Sequence, residues 1–439
     1  MSTPSPRIRN PWAWVPSSYL AEGIPFAMVI WVAGTMFKDL GHSDGEITLA
    51  TASIGIAWSL KPLWAAFLDM FKTKKFFVLW MEALMALLLC GIAVALPLPN
   101  YFQITIAVLW VMAFASATQD ICVDGIYITS LDEKGLAKYI GVQGVFWNVG
   151  RLFGTALVVW LAGSLKEDHH LSTTAAWSWA LGMSGATLAL LAAYHWFFLP
   201  TGSLGERPES VKAAFRTFGE AVVDFFKKDS IWGMLLFVFL YRSSEGLLLI
   251  EGPLFLQASP DAGGVGLSLK DKGLIDGTIA TVVSLGAGLL GGAFMAKYGL
   301  NRRTLVFMAL CLNIPHVCFV VLSQLAGPGH SLSFWTVASL VTLEKFGYSF
   351  GFVANMLYMM QQISPGKFHM THYAFANSIM NLTLVPTQMV SGPLADHFGY
   401  KTYFIIVMVA AIPSVLGAMF APFPRKPDNG QPHGGPARH

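Results

Sequence analysis

Charge is scarce in this 439-residue sequence: Asp, Glu, Lys and Arg make up 12% of it, while 54% is hydrophobic. Soluble domains carry about 25% charged residues, so this deficit excludes a disordered chain, a coiled coil and an ordinary soluble enzyme. The net charge of +3 is too small to point to a nucleic-acid partner. Cysteine is scarcer still. Cys90, Cys122, Cys311 and Cys318 fall in or beside apolar runs, and no spacing among them suits a disulfide framework or zinc. They read as small buried hydrophobes. Catalytic signatures are also missing: there is no P-loop, no HExxH and no nucleophile elbow. No enzyme chemistry, metal or cofactor is therefore expected.

What is present is a series of long apolar runs. A hydrocarbon layer about 30 Å thick takes roughly 20 apolar residues per helix. On that measure the chain has twelve predicted spans: 14–37, 47–68, 76–97, 101–123, 139–162, 175–199, 231–256, 273–296, 304–324, 333–361, 370–392 and 401–421. The first run is too long for a signal-peptide core, and no small-residue cleavage site follows it. The longest gap, 200–230, holds several Gly and Pro and ends in Lys227 and Lys228, as a linker would. The predicted organisation is an all-α membrane protein with a six-helix bundle in 1–199, a cytoplasmic linker in 200–230, a second six-helix bundle in 231–421 and a disordered tail in 422–439. Loops on the side of the termini hold 19 Lys and Arg, and those on the other side hold five. The positive-inside rule then places both termini in the cytoplasm.

The halves echo each other. Tyr19-Leu-Ala-Glu22-Gly23 in span 1 resembles Tyr241-Arg-Ser-Ser-Glu245-Gly246 in span 7, and Leu40 to Asp44 has a counterpart in Leu267 to Asp271. Six plus six spans with weak internal repetition is the pattern of the major facilitator fold, whose halves are parallel repeats.

Ionisable residues at bilayer depth cost at least a few kcal/mol and mark partners, wet cavities or function. Glu22 sits roughly 12 Å into span 1, Arg151 roughly 18 Å into span 5, and Arg242 roughly 16 Å into span 7. Glu344 and Lys345 lie at similar depth in span 10, with side chains expected to diverge by about 100°. Arg242 and Glu245 share a helix face and can neutralise each other. Glu22, Glu344 and Asp124 are the candidate proton-coupling residues. Arg151, Arg242, Glu245 and Lys345 are candidates for binding a charged solute, with Tyr19, Trp147, Gln143 and Asn148 beside them. Trp31, Trp110, Tyr241 and Tyr358 are further aromatics, and Asn355, Asn377, Asn381 and Gln388 further amides, within the spans. Asp120 and Asp124, one turn apart near the cytoplasmic end of span 4, read with Lys61 and Asp69 as a gate. His316 reads as a packed histidine without a sequence partner.

Ala115-Ser-Ala-Thr-Gln-Asp-Ile-Cys-Val-Asp-Gly125 resembles the ATQD-I-x-x-D signature of AmpG-type anhydromuropeptide permeases, a family in the same superfamily branch as acetyl-CoA transporters. Ser59 to Asp69 is similar to that family's ending of span 2. Asn148-Val-Gly-Arg151 stands where the family has Gly-Tyr-Arg, and Gly392 to Phe404 is similar to its turn from span 11 to span 12. The chain departs from the family in having room for twelve spans where several members have fourteen, and in the carboxylate of Glu22. The resemblance implies a monomeric carrier in the bacterial inner membrane. It would take up N-acetylglucosaminyl-anhydro-N-acetylmuramic acid, with or without peptide, by proton symport. The alternatives are the same fold with another solute (a sugar, a peptide or an acetyl-CoA-like anion) and a non-transporting membrane sensor.

Overall fold

In the computed structural model the described residues are 10–61, 63–65, 68, 73–202 and 211–424. They fold into helices, with one isolated β-bridge between Gly327 and His330 as the only strand-like pairing among them. In chain order the helices are α1 (Pro11–Asp39), α2 (44–59), α3 (Lys74–Ala95), α4 (Tyr101–Ser130), α5 (133–167), α6 (Thr173–Phe198), α7 (Val211–Phe226), α8 (Ile231–Gln257), α9 (Leu269–Tyr298), α10 (Arg302–Leu325), α11 (334–363), α12 (369–398) and α13 (400–420). Side-chain caps fix several starts. Ser43 and Glu46 form a reciprocal capping box at α2, and Thr73, Ser172 and Ser333 each accept a backbone N–H at the first turn of α3, α6 and α11. α12 and α13 form one helical run, broken only at Gly399, whose φ of 73° lies in the left-handed region where glycine carries no Cβ penalty.

By length and composition, nine of the described helical stretches could cross a membrane, and one of these, Thr371–Phe420, contains both α12 and α13. Two predicted spans do not qualify. α2 is short within the described residues. α11 is long enough, but too polar once Glu344 and Lys345 are counted. An apolar exterior rings the molecule, with Leu87, Val94, Trp179, Leu289 and Trp335 among its exposed side chains, as lipid contact requires. Cys90 lies on this exterior, which corrects the expectation that all four cysteines are buried: its helix turns that face to lipid rather than to the core.

The packing follows the repeat. One extended core joins α1 to α6, and a smaller cluster around Tyr19 and Tyr127 closes its terminus-bearing end. Two further cores lie within residues 225–421. In the first half a Cβ on Gly23 would run into the backbone of α5 at Trp147; in the second, one on Gly246 would strike Thr387 of α12. Thus each Glu-Gly pair sets the first helix of its half against the fifth, and small residues permit that close approach. Tyr19 donates to Asp124 on the fourth helix (2.8 Å), and Tyr241 donates to the Gly351 carbonyl of α11 (2.9 Å), again the fourth of its half.

The halves meet at the end opposite the termini. α2 and α12 touch where Thr48 donates to the Met389 carbonyl and Gly45 N–H to Asp396 (2.8 Å). α5 and α9 touch along π-helical turns at Phe153–Val158 and Gly273–Ile279, with Gly277 against the Thr155 and Ala156 backbone. Lys272 reaches Thr35 of α1 (2.9 Å), and Lys270 reaches Asp168 at the end of α5 (2.5 Å). The linker helix α7 lies on the terminus-bearing face, with Phe225 buried against Phe375 of α12.

Candidate functional site: a polar cavity between the halves

Below the sealed end, an open cavity with about 760 Å³ of empty space is lined from both halves. Glu22, Phe26, Trp58, Lys61, Asp120 and Trp147 face Ala374, Asn377, Ser378 and Asn381 of α12. Its acidic side is built from three segments. α1 supplies Glu22, the turn just after α2 supplies Lys61, and α4 supplies Asp120 and Asp124, one turn apart on the same face. Carboxylate oxygens of Glu22, Asp120 and Asp124 lie within 4.8 Å of one another. The Lys61 ammonium pairs with Asp120, and Tyr19 holds Asp124. Glu22 is 5% exposed, and its Oε1 has no hydrogen-bond partner. The gate residues and the leading proton-coupling residue, separate in sequence, thus form one cluster. Asp69 lies outside the described residues.

The first-half side of the cavity is also aromatic. Phe26 contacts Trp58 and Trp147 with ring centroids 4.9 and 5.4 Å apart, and amides of α12 stand across the gap. Trp58 and Phe26 were not singled out from sequence. Their position beside Glu22 and Lys61, in the same two predicted spans, is the signal that could have found them. Tyr19, Tyr241 and Tyr358 instead sit inside the bundles with their hydroxyls hydrogen-bonded. Asn148 bonds back to the Gly144 carbonyl of its own helix, and Gln143 is half-buried one turn earlier.

Deeper lie the other charges. The Arg151 guanidinium stacks 5.4 Å from the Trp31 ring, its Nε is without a partner, and its electrostatic neighbours Tyr348 and Asp276 belong to the other half. Arg242 is committed: it is 5% exposed, paired with Glu245 through Nε (2.6 Å), and lies over the Phe352 ring. Glu344 and Lys345 do not stay apart. The flexible lysine stem turns back to place Nζ 3.3 Å from Glu344 Oε2, and His316 Nδ1 lies 3.4 Å from the other oxygen. His316 is packed as expected, but it has a partner. A second buried pair escaped the sequence reading entirely. His195 of α6 bridges both oxygens of Glu82 on α3 (2.8 and 2.9 Å) and Ser17 of α1, and Gln119, next to Asp120, donates to the same Glu82.

A wet pocket that joins acid–base groups to aromatic and amide walls, closed at one end by contacts between two bundles, can bind a hydrophilic solute and exchange it by rocking those bundles. Comparison with known proteins agrees. The model of the Major Facilitator Superfamily matches residues 17–384. An Escherichia coli anhydromuropeptide permease is 24% identical over 409 residues, which cover 90% of this chain and 76% of that protein. A Rickettsia conorii protein that carries the AmpG designation is 23% identical and covers 91% and 94% of the two chains. Among solved structures, a bacterial homologue of the human lysosomal transporter Spinster, inward-facing and unoccupied, superposes with a TM-score of 0.72 at 15% identity. It covers 95% of this chain and 98% of its own. The nucleoside transporter NupG gives 0.70 at 14% identity, covering 93% and 98%. At these identities the structures speak to the fold alone.

Proposed function

This chain belongs to the Major Facilitator Superfamily, a membrane transporter of AmpG type rather than an enzyme, and we propose that it imports anhydromuropeptides or a closely related anionic amino-sugar by proton-coupled alternating access. The observation that carries this reading is the shared cavity, in which the Glu22 cluster faces the Trp58 and Trp147 rings and the α12 amides. An amino-sugar needs aromatic faces for its rings and amides for its N-acetyl groups, which the cavity lining supplies, and a cation for its carboxylate, which falls to Arg151 outside that lining.

The roles divide as follows. Three carboxylates within 4.8 Å against one ammonium repel by about 3 kcal/mol per ionised pair at an effective dielectric near 20. The cluster therefore favours taking up a proton, and Glu22, without a donor on Oε1, is its carrier. Lys61 on Asp120 and Tyr19 on Asp124 hold the remaining charges in place. Arg151 is the clamp for the solute carboxylate, because its Nε is free, whereas Arg242 is bound to Glu245. Glu344 and Lys345 pair with each other, and Glu344 with His316, inside the second half and apart from the cavity lining.

The basic loops orient both termini toward the cytoplasm. With that orientation the sealed end is periplasmic, the cavity faces inward, and the protein is a monomeric carrier of the bacterial inner membrane, with 1–199 and 231–421 as its moving bundles and 200–230 as their linker. Tryptophan-fluorescence titration of the purified protein with an anhydromuropeptide, free muramic sugars and acetyl-CoA tests the solute class. Binding of the anhydromuropeptide or the amino-sugars, with loss of the signal in Trp147→Ala, is expected. Binding of acetyl-CoA alone would replace the reading with that of a nucleotide-thioester carrier.

A further inference from the structure

At the sealed end, apart from the cavity, a second set of acids lies between the halves. Asp44 starts α2, Glu251 stands one turn and a half before the end of α8, and Asp396 closes α12. Every donor in reach is already engaged. Lys38 Nζ lies 2.6 Å from Asp44, the Tyr400 hydroxyl also bonds Asp44, the Gly45 N–H goes to Asp396 (2.8 Å), and the Tyr403 hydroxyl goes to the Leu247 carbonyl (2.7 Å). Glu251 receives no N–H or hydroxyl donor: its side chain is 0% exposed, and the group its carboxyl meets is the Asp44 carboxylate, to which it can hydrogen-bond only when it carries a proton itself.

The groups that face it electrostatically are Asp44 and Lys38 from the first half and Asp396, Tyr400 and Tyr403 from the second. Lys38 is pinned on Asp44, and its attraction for Glu251 is outweighed by the repulsion from Asp44 itself. Asp396 is of the same sign as an ionised Glu251. A dry carboxylate with no donor and no cation is not tolerated in a protein interior, whereas the neutral acid is.

We infer that Glu251 is a second proton-binding site, which must be filled for the two halves to close over it at this end. The proton is the ligand, and closure is what it permits. When α2 lifts away from α8 and α12, water reaches Glu251 and solvates the charge, so the carboxyl can release its proton on that side. The site lies far from Glu22 along the helices and does not depend on which solute the cavity takes. Because one proton is linked to closure, the closed-to-open ratio falls by up to about tenfold per pH unit once Glu251 begins to ionise.

The test is a distance between spin labels at Asn100, in the α3–α4 loop, and Asp261, in the α8–α9 loop. Both lie on exposed positions of the sealed end, one in each half. The protein is held in nanodiscs, with Cys90, Cys122, Cys311 and Cys318 replaced by alanine, from about pH 5 to about pH 9. The expected result is a short distance at low pH, with a longer population growing as pH rises. Glu251→Gln, a permanent mimic of the neutral acid, should keep the short distance throughout. Glu22→Gln should retain the pH dependence, which separates this site from the cavity cluster. Wild-type distances that do not change with pH, or a Glu251→Gln series that titrates like wild type, would overturn the inference. Should Glu251→Gln fail to fold, the wild-type and Glu22→Gln series still decide it.

Discussion

Glu22 shows what a single residue reveals and conceals. A carboxylate inside an apolar run is visible in any hydropathy profile, and so were Arg151, Arg242 and Glu344. Partners are another matter. Lys61 and Asp120 converge on Glu22 from the end of α2 and from α4, and no spacing within one helix announces that. His195 and Glu82 are 113 positions apart, and nothing in the spacing of either helix brings them together. Two substitutions test the cavity at this scale. In proteoliposomes, Glu22→Gln should abolish uphill uptake while sparing counterflow exchange, because exchange needs solute binding but no proton release; uphill uptake by this variant would remove Glu22 from the coupling role. Trp147→Ala should weaken solute binding by roughly tenfold, the equivalent of about 1.4 kcal/mol, as read by titration calorimetry, with the fold intact because the ring faces the cavity.

Helices were more legible than contacts. Apolar runs coincide with helices among the described residues, although α4, α5 and α12 run past the predicted span ends and α2 and α11 do not qualify as crossings; Ser43, Thr73, Ser172 and Ser333 cap starts that the sequence allowed. The turn expected between the spans 370–392 and 401–421 is a kink at Gly399, because one left-handed glycine suffices to turn the chain. What the sequence could not display is why certain glycines matter. Gly277 sits where α9 meets the Thr155 carbonyl across the halves. Gly277→Val should therefore penalise the closed arrangement by about 1–3 kcal/mol without unfolding either bundle. Cross-linking of cysteines placed across α5 and α9 reads this, and an unchanged cross-linking yield would contradict it.

The Asp168–Lys270 contact adds a pH dependence of known sign. The Asp168 carboxyl is held below the usual aspartate range, first by the hydrogen bond from Lys270 and next by the Ser164 hydroxyl. Its support for closure is therefore complete above the ordinary aspartate pKa and is lost as pH falls through the lowered value. Asp168 is exposed and Lys270 partly so, so solvent screening keeps the effect small. Its sign is opposite to that expected of Glu251. Lys270→Ala should raise the open population slightly and evenly across the label-distance series, whose pH range lies above the Asp168 transition, and should leave the slope set by Glu251 unchanged.

As a whole molecule, the chain is two related bundles, joined through α7, which touch at one end and part at the other. The Tyr–Glu–Gly echo between spans 1 and 7 already suggested duplication. The structure gives it a physical content: each tyrosine bonds the fourth helix of its half, and each glycine packs on the fifth. Composition and internal repetition therefore carried the fold, while the cavity depended on bringing α1, α2, α4, α5 and α12 to one place. The central claim is that this cavity couples a hydrophilic solute to protons. Its most direct test is accumulation of radiolabelled anhydromuropeptide in proteoliposomes, with and without an inward proton gradient. Accumulation above the external concentration that collapses on addition of a protonophore is the predicted result. Equal internal and external concentrations under both conditions, or no entry of the solute at all, would contradict it.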